Sequence, residues 1–200
     1  NFISMSPWGF SLFFKDFPLR MIICSANFFI NTGLPISNKN KSPLFAKDND
    51  CKTLLDYGCG KAIPYDKERC REVDLRNPIQ ELCSLESFDL YDPAYEKYAT
   101  LPDKKYDIVV CTDVLEHIAE QDIDYVLTQI LSRSNKVVFL NICCKPALKH
   151  FKEGKFKGKN VHISLFEPDW WGRKIGNIWN NFNHTKVYTV CNAKIGNQVT

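Results

Sequence analysis

Two stretches of the chain hold residue types and spacings that could do chemistry. The first is Asp56-Tyr57-Gly58-Cys59-Gly60, an acid followed by two glycines one residue apart. The run before it, Thr53–Tyr57, is apolar except near its end and reads as a buried strand of a parallel sheet. Glycines let the backbone turn sharply and let a ligand approach, because no Cβ intervenes. Amides at a following helix start would favour an anionic group. Together these describe a nucleotide-like cofactor at the carboxyl end of a strand. The second stretch is Cys111-Thr112-Asp113-Val114-Leu115-Glu116-His117, at the end of the apolar run Ile108–Cys111. It places Thr112 and Asp113 where a doubly wound sheet puts its ligands. His117 just beyond, and His162 further on, are of the type that most often removes a proton near neutrality.

The glycine loop departs from the dinucleotide fingerprint, which requires a third glycine where this chain has Ile63. Its order is Asp-x-Gly-x-Gly-x-Ala, and it resembles motif I of the class I S-adenosylmethionine (SAM)-dependent methyltransferases. Ser87–Asp92 reads as a second strand ending in an acid and resembles motif II, with Asp92 as the ribose acid. Tyr106–His117 resembles motif IV in its D-V-L-E-H form. The whole pattern ("LLDYGCGK", "YDPAY", "CTDVLEH", "NVHISLF…DWW") also resembles a group of small methyltransferase-like proteins of bacteriophages and aquatic metagenomes, from about residue 46 to 182.

That resemblance implies an α/β fold, a doubly wound and mostly parallel Rossmann-like methyltransferase sheet. It implies S-adenosyl-L-methionine as cofactor and methyl transfer to an oxygen or nitrogen of a small molecule or nucleobase. The cofactor-binding residues it implies are Asp56, Tyr57, Gly58, Cys59 and Gly60 for the methionine end, Asp92 for the ribose, and Thr112 and Asp113. His117 and His162 are the catalytic candidates. Asp113, Glu116 and His117 also suggest a metal site, as in some O-methyltransferases. No fourth ligand is evident, so no metal is expected.

One feature departs from the family pattern. Only about fourteen residues, Pro93 to Tyr106, separate the second motif from the third. A helix and a strand with their turns do not fit in that length. The third-strand region is therefore shortened or missing, and with it the acid that contacts adenine. Tyr91, Tyr95 and Leu101 are the candidates to replace it.

The remaining elements position these groups. Asn77-Pro78-Ile79 reads as a helix start, with the helix ending near Glu86. Ile123, Val126, Leu127, Ile130 and Leu131 form one face of an amphipathic helix. Lys136–Ile142 reads as a buried strand, Val161–Phe166 as an alternating strand, and Lys186–Cys191 as an edge strand. Pro168 opens a helix with a core stripe of Trp171, Ile175, Ile178, Trp179 and Phe182, leaving Trp170 to face a neighbouring loop or a substrate. Between Lys145 and Lys159 six lysines face only Glu153. Such a run reads first as a solvated face, and second as a contact for an anionic substrate or nucleic acid.

Two hundred residues suit a single domain with an extension. We expect residues 1–45 to be an N-terminal lid or packing segment and 46–200 the methyltransferase-like domain. The chain begins at Asn1, with Met5 and Met21 as candidate starts. A net charge of +3 is too small to imply a nucleic-acid partner by itself. No apolar run reaches the length of a membrane span, so no membrane partner is expected. Nine cysteines without a CxxC pair point to reduced thiols in a cytoplasmic protein. Two other readings remain at this level: a SAM-binding partner or regulatory module without catalysis, and a nucleic-acid-binding accessory protein resting on the lysine run.

Overall fold

The computed structural model describes residues 50–72 and 78–192. The expected lid segment and Asn77 lie outside the described residues. A five-stranded parallel sheet runs in the order β2-β1-β3-β4-β5. Its strands are β1 (Thr53–Tyr57), β2 (Ser87–Tyr91), β3 (Tyr106–Thr112), β4 (Ser134–Cys143) and β5 (Lys186–Asn192). The helices are α1 (Lys67–Glu72), α2 (Ile79–Cys83), α3 (Glu120–Ser132) and α4 (Pro168–Trp179). The expected α/β class and Rossmann-like architecture hold. Two compact units divide the chain, with the boundary between Ile108 and Val109 in β3.

In the first unit, β1 and β2 pair in parallel from Thr53↔Ser87 to Tyr57↔Tyr91. Leu54 and Leu55 are fully buried, as a strand covered on both faces requires. The starts of β1 and β3 are tied reciprocally. The Asp107 carboxylate accepts the N–H groups of Lys52 (2.9 Å) and Thr53 (3.1 Å), while the Asp107 N–H donates to Thr53 Oγ1 at 2.8 Å. Between β2 and β3 the described backbone holds only a single 3-10 turn, Glu96–Tyr98, so the third-strand region is indeed missing. α2 is shorter than expected. Ser84 takes a left-handed conformation, φ 54°, and its N–H closes on Gln80 and Glu81, which stops the helix before Glu86.

In the second unit, all five expected apolar positions of α3 are buried. β4 is longer than the apolar run that signals it, and pairs with β5 from Val137↔Lys186 to Cys143↔Asn192. On α4, Trp171 and Ile175 are buried and Ile178 and Trp179 half-buried; the helix ends at Trp179, so the half-buried Phe182 lies beyond it and not on its stripe. Trp170 lies against Phe166, ring centroids 3.8 Å apart, so its face is taken by packing within the unit.

Val161–Phe166 is not a strand. His162 and Ser164 alternate inward, but no ladder forms. The backbone is satisfied otherwise: the His162 N–H donates to Asn160 Oδ1 (3.0 Å) and the Ser164 N–H to Glu116 O (3.0 Å). Alternating burial needs only extended backbone, whereas a strand also needs a free edge to pair with.

Candidate functional site

In the first unit the glycine loop is built from the ends of β1 and β2. The Gly58 and Cys59 N–H groups both donate to Tyr91 O, at 2.7 and 3.1 Å. The Gly60 N–H donates to Asp92 Oδ2 at 2.8 Å, and the Ala94 N–H to Oδ1 at 2.8 Å. This wrapping requires φ of 89° at Gly58 and 53° at Gly60, in the left-handed region that favours glycine. Ala62 shares that region, φ 54°, and leads into a 3-10 turn, Ile63–Tyr65, rather than into an α-helix. The expected helix-start amides are therefore absent from the loop, and the three loop amides Gly58, Cys59 and Gly60 are already used. The loop offers acceptors, not donors.

Those acceptors are Asp56 and Asp92. Burial pushes the Asp56 carboxyl up to about 7; the Tyr65 hydroxyl offsets part of this and the Asp92 charge adds to it. The Tyr65 oxygen is buried beside Asp56 and favours the charged form of its carboxyl. Burial also raises Asp92, against the two N–H groups that favour its charged form. A cation or hydroxyl donor would relieve both carboxylates, which is what an amino-acid ammonium and a ribose present. Tyr57 is buried, its ring edge-on to Tyr91 at 4.9 Å, so only its backbone belongs to the loop. Tyr91, a candidate for adenine, is likewise taken into the core, whereas Tyr95 is 41% exposed and stacked on Tyr98. The Cys59 thiol is half-buried and its ionisation is pushed up, so it acts as a neutral group.

The raised Asp56 carboxyl has a consequence for stability. Its folded value, about 7, exceeds the ordinary 3.8. Its stabilising share is fully present below 3.8 and is lost as pH rises through 7. Asp56→Asn removes this dependence. The melting temperature of the variant relative to wild type should climb between pH 4 and pH 7 and level off above. A difference that stays flat across this range would show that Asp56 ionises normally in the folded chain.

The second unit gathers the other chemistry-bearing residues. Asp113 caps β3 with φ 55°, a strained position for a non-glycine residue. Its N–H donates to Asn141 O at 2.9 Å, and its carboxyl is pushed up to about 6 by burial, with His162 opposing. Thr112 is half-buried at the strand end. Glu116 and His117 lie on the 3-10 turn Leu115–His117, and both are buried. Glu116 Oε1 accepts the Cys143 N–H at 3.1 Å, while Oε2 is buried without a partner. Burial, then Asp113, pushes its carboxyl up to about 8. His117 Nδ1 lies 2.8 Å from Val161 O, and His162 Nδ1 lies 2.6 Å from Lys145 O. Burial pushes His117 down to about 4, which makes it a weak base at neutral pH. The two rings meet edge to face at 4.7 Å.

Asn141 and Tyr65 escape the sequence reading. The signal for Asn141 is a lone amide inside the apolar run of β4, near its carboxyl end. Nothing local marks Tyr65, whose role comes from where the turn places it. The lysine run forms an exposed excursion. It is closed by the antiparallel bridge His150↔Asn160 and by the Asn160 side chain, which both accepts from and donates to Ala147. Lys152, Lys155, Lys157 and Lys159 are exposed on it.

A family model described as a methyltransferase domain matches residues 36–186, about three quarters of the chain. No curated protein and no solved structure is similar enough to match. With an acid-glycine loop closing on a second strand-end acid in a parallel α/β sheet, this match settles the family: the chain belongs to the methyltransferase-domain family, within the class I SAM-dependent methyltransferases.

Proposed function

We propose that this chain binds SAM on the loop Asp56–Gly60 and on Asp92, and methylates an oxygen or nitrogen of a small molecule or nucleobase. The observation that carries the reading is the pair of partly buried carboxylates held by a loop whose amides are already occupied. Asp56 would take the ammonium of the methionine end and Asp92 the ribose hydroxyls. Each Asp92 oxygen already accepts one N–H and has a second lone pair to offer. When bound, SAM supplies an activated methyl group on a sulfonium. The residues of the chain then need only align the acceptor, exclude water and, for a protonated acceptor, remove a proton.

Of the two histidines, His162 is the better candidate for that proton, because His117 is held neutral by burial and binds protons weakly. Thr112 and Asp113 are proposed as cofactor-binding residues on their resemblance to motif IV. The half-buried and buried free thiols, Cys59, Cys70, Cys143, Cys144 and Cys191, favour a reducing, cytoplasmic setting. Among the described residues no helix is long and apolar enough to cross a membrane. Turnover of methyl-labelled SAM on fractionated cell extract tests the activity. Label transferred to an extract component supports it, and SAM binding without any transfer would leave a binding module instead.

The lysine excursion decides the class of acceptor. We expect a neutral small molecule, with Lys152, Lys155 and Lys157 behaving as solvated charges. The triple change of these lysines to Ala should then leave turnover and SAM affinity unchanged. Tight binding of DNA or RNA fragments at physiological salt, with a steep salt slope that the triple variant flattens, would instead assign a nucleic-acid substrate.

A further inference from the structure

We propose that Glu116, His117 and His162 form a binding site for a divalent first-row transition-metal ion. One ligand atom from each residue lies within 4.8 Å of the others, and all three residues are buried. Each is oriented from outside the cluster. The Cys143 N–H holds Glu116 Oε1, which leaves the buried and unpartnered Oε2 as the ligand atom. Val161 O and Lys145 O lie against the two Nδ1 atoms at 2.8 and 2.6 Å. A carbonyl only accepts, so each Nδ1 carries the proton and each neutral ring keeps its lone pair on Nε2. A ring nitrogen fixed by a backbone carbonyl, with the other nitrogen presented inward, is the usual support of a metal-bound histidine.

Burying a carboxylate oxygen with no donor is costly unless a charge compensates it. A cation among these donors supplies that charge. Two imidazole nitrogens and one carboxylate oxygen suit zinc, cobalt or iron(II), and suit the oxygen-seeking magnesium and calcium poorly. Metal–nitrogen bonds of about 2.0–2.1 Å imply donor separations of about 3.3 Å in a tetrahedral site. The donors, which lie within 4.8 Å of one another, therefore close to the tetrahedral spacing on binding. Asp113, whose carboxyl interacts with both Glu116 and His162, adds negative potential beside the cluster. Three protein ligands leave a position for an exogenous oxygen or nitrogen, whose proton the ion would make easier to remove; the ion takes the His162 lone pair, so His162 serves as proton acceptor in the metal-free chain alone. Metal binding itself does not depend on which acceptor is methylated.

His162 completes what the motif-IV stretch lacks in sequence, since it lies 45 residues beyond His117. The test is titration of Co2+ into the chelator-stripped full chain, followed by visible absorption. About one ion per chain is expected, without thiolate-to-cobalt charge-transfer bands. Glu116→Gln and His162→Gln should each weaken binding at least about 100-fold, with circular dichroism and melting in the metal-free state serving as the fold check. In the wild-type chain alone, proton NMR of the cobalt form should show two hyperfine-shifted, exchange-protected imidazole N–H signals, one for each carbonyl-held Nδ1. Absence of saturable binding, thiolate bands, equal binding by folded variants, or fewer than two such N–H signals would each overturn the site.

Discussion

Gly60→Val should abolish measurable SAM binding while leaving the chain folded. Gly60 sits at φ 53° and donates its N–H to Asp92 at 2.8 Å. A left-handed conformation costs an L-residue roughly 1–2 kcal/mol, and a β-branched one more. An added Cβ would meet only Asp92 Oδ2, at 4.0 Å, so backbone conformation and not collision sets the penalty. Relaxing to negative φ breaks the bond to Asp92, about 1.5–3 kcal/mol for a charged acceptor. The sum is several kcal/mol, or more than about a 100-fold loss of affinity. The conformational origin fixes an order among variants. Gly60→Asn should be mildest, since Asn tolerates the left-handed region, Gly60→Ala intermediate and Gly60→Val worst. A ranking by side-chain size alone, with Asn worse than Ala, would point to steric exclusion of the cofactor instead.

Asp92→Ala should weaken SAM binding by about 1–3 kcal/mol, roughly five- to 150-fold. The substitution removes the acceptor of two backbone N–H groups as well as the proposed ribose contact. Asp92→Asn separates the two effects. It keeps one oxygen for the loop but turns an amide NH2 toward either Gly60 or Ala94. Binding should then fall between wild type and Ala. Equilibrium titration of each variant measures this, and wild-type affinity in Asp92→Ala would remove Asp92 from the cofactor site.

The parts of this protein written in local pattern were legible from sequence. The apolar runs of β1, β3 and β4 and the helical stripe of α3 predict buried elements because burial on a periodic backbone leaves a periodic trace. The short span from Pro93 to Tyr106 predicts the missing third strand by length alone. Val161–Phe166 misled because its inward His162 and Ser164 mimic strand alternation, while their hydrogen bonds go to Asn160, Lys145 and the turn after β3. The loop amides misled for a related reason: glycine spacing marks the turn, but not that Tyr91 and Asp92 already accept its N–H groups. The convergence of Glu116, His117 and His162 depends on a long return of the chain, and no spacing rule encodes it.

Isothermal titration of SAM into the full chain, with Gly60→Val in parallel, tests the central claim most directly. Saturable binding of about one SAM per chain, lost in a Gly60→Val variant of unchanged circular dichroism, is the result the account predicts. No binding by the wild-type chain, or equal binding by folded Gly60→Val, would contradict it.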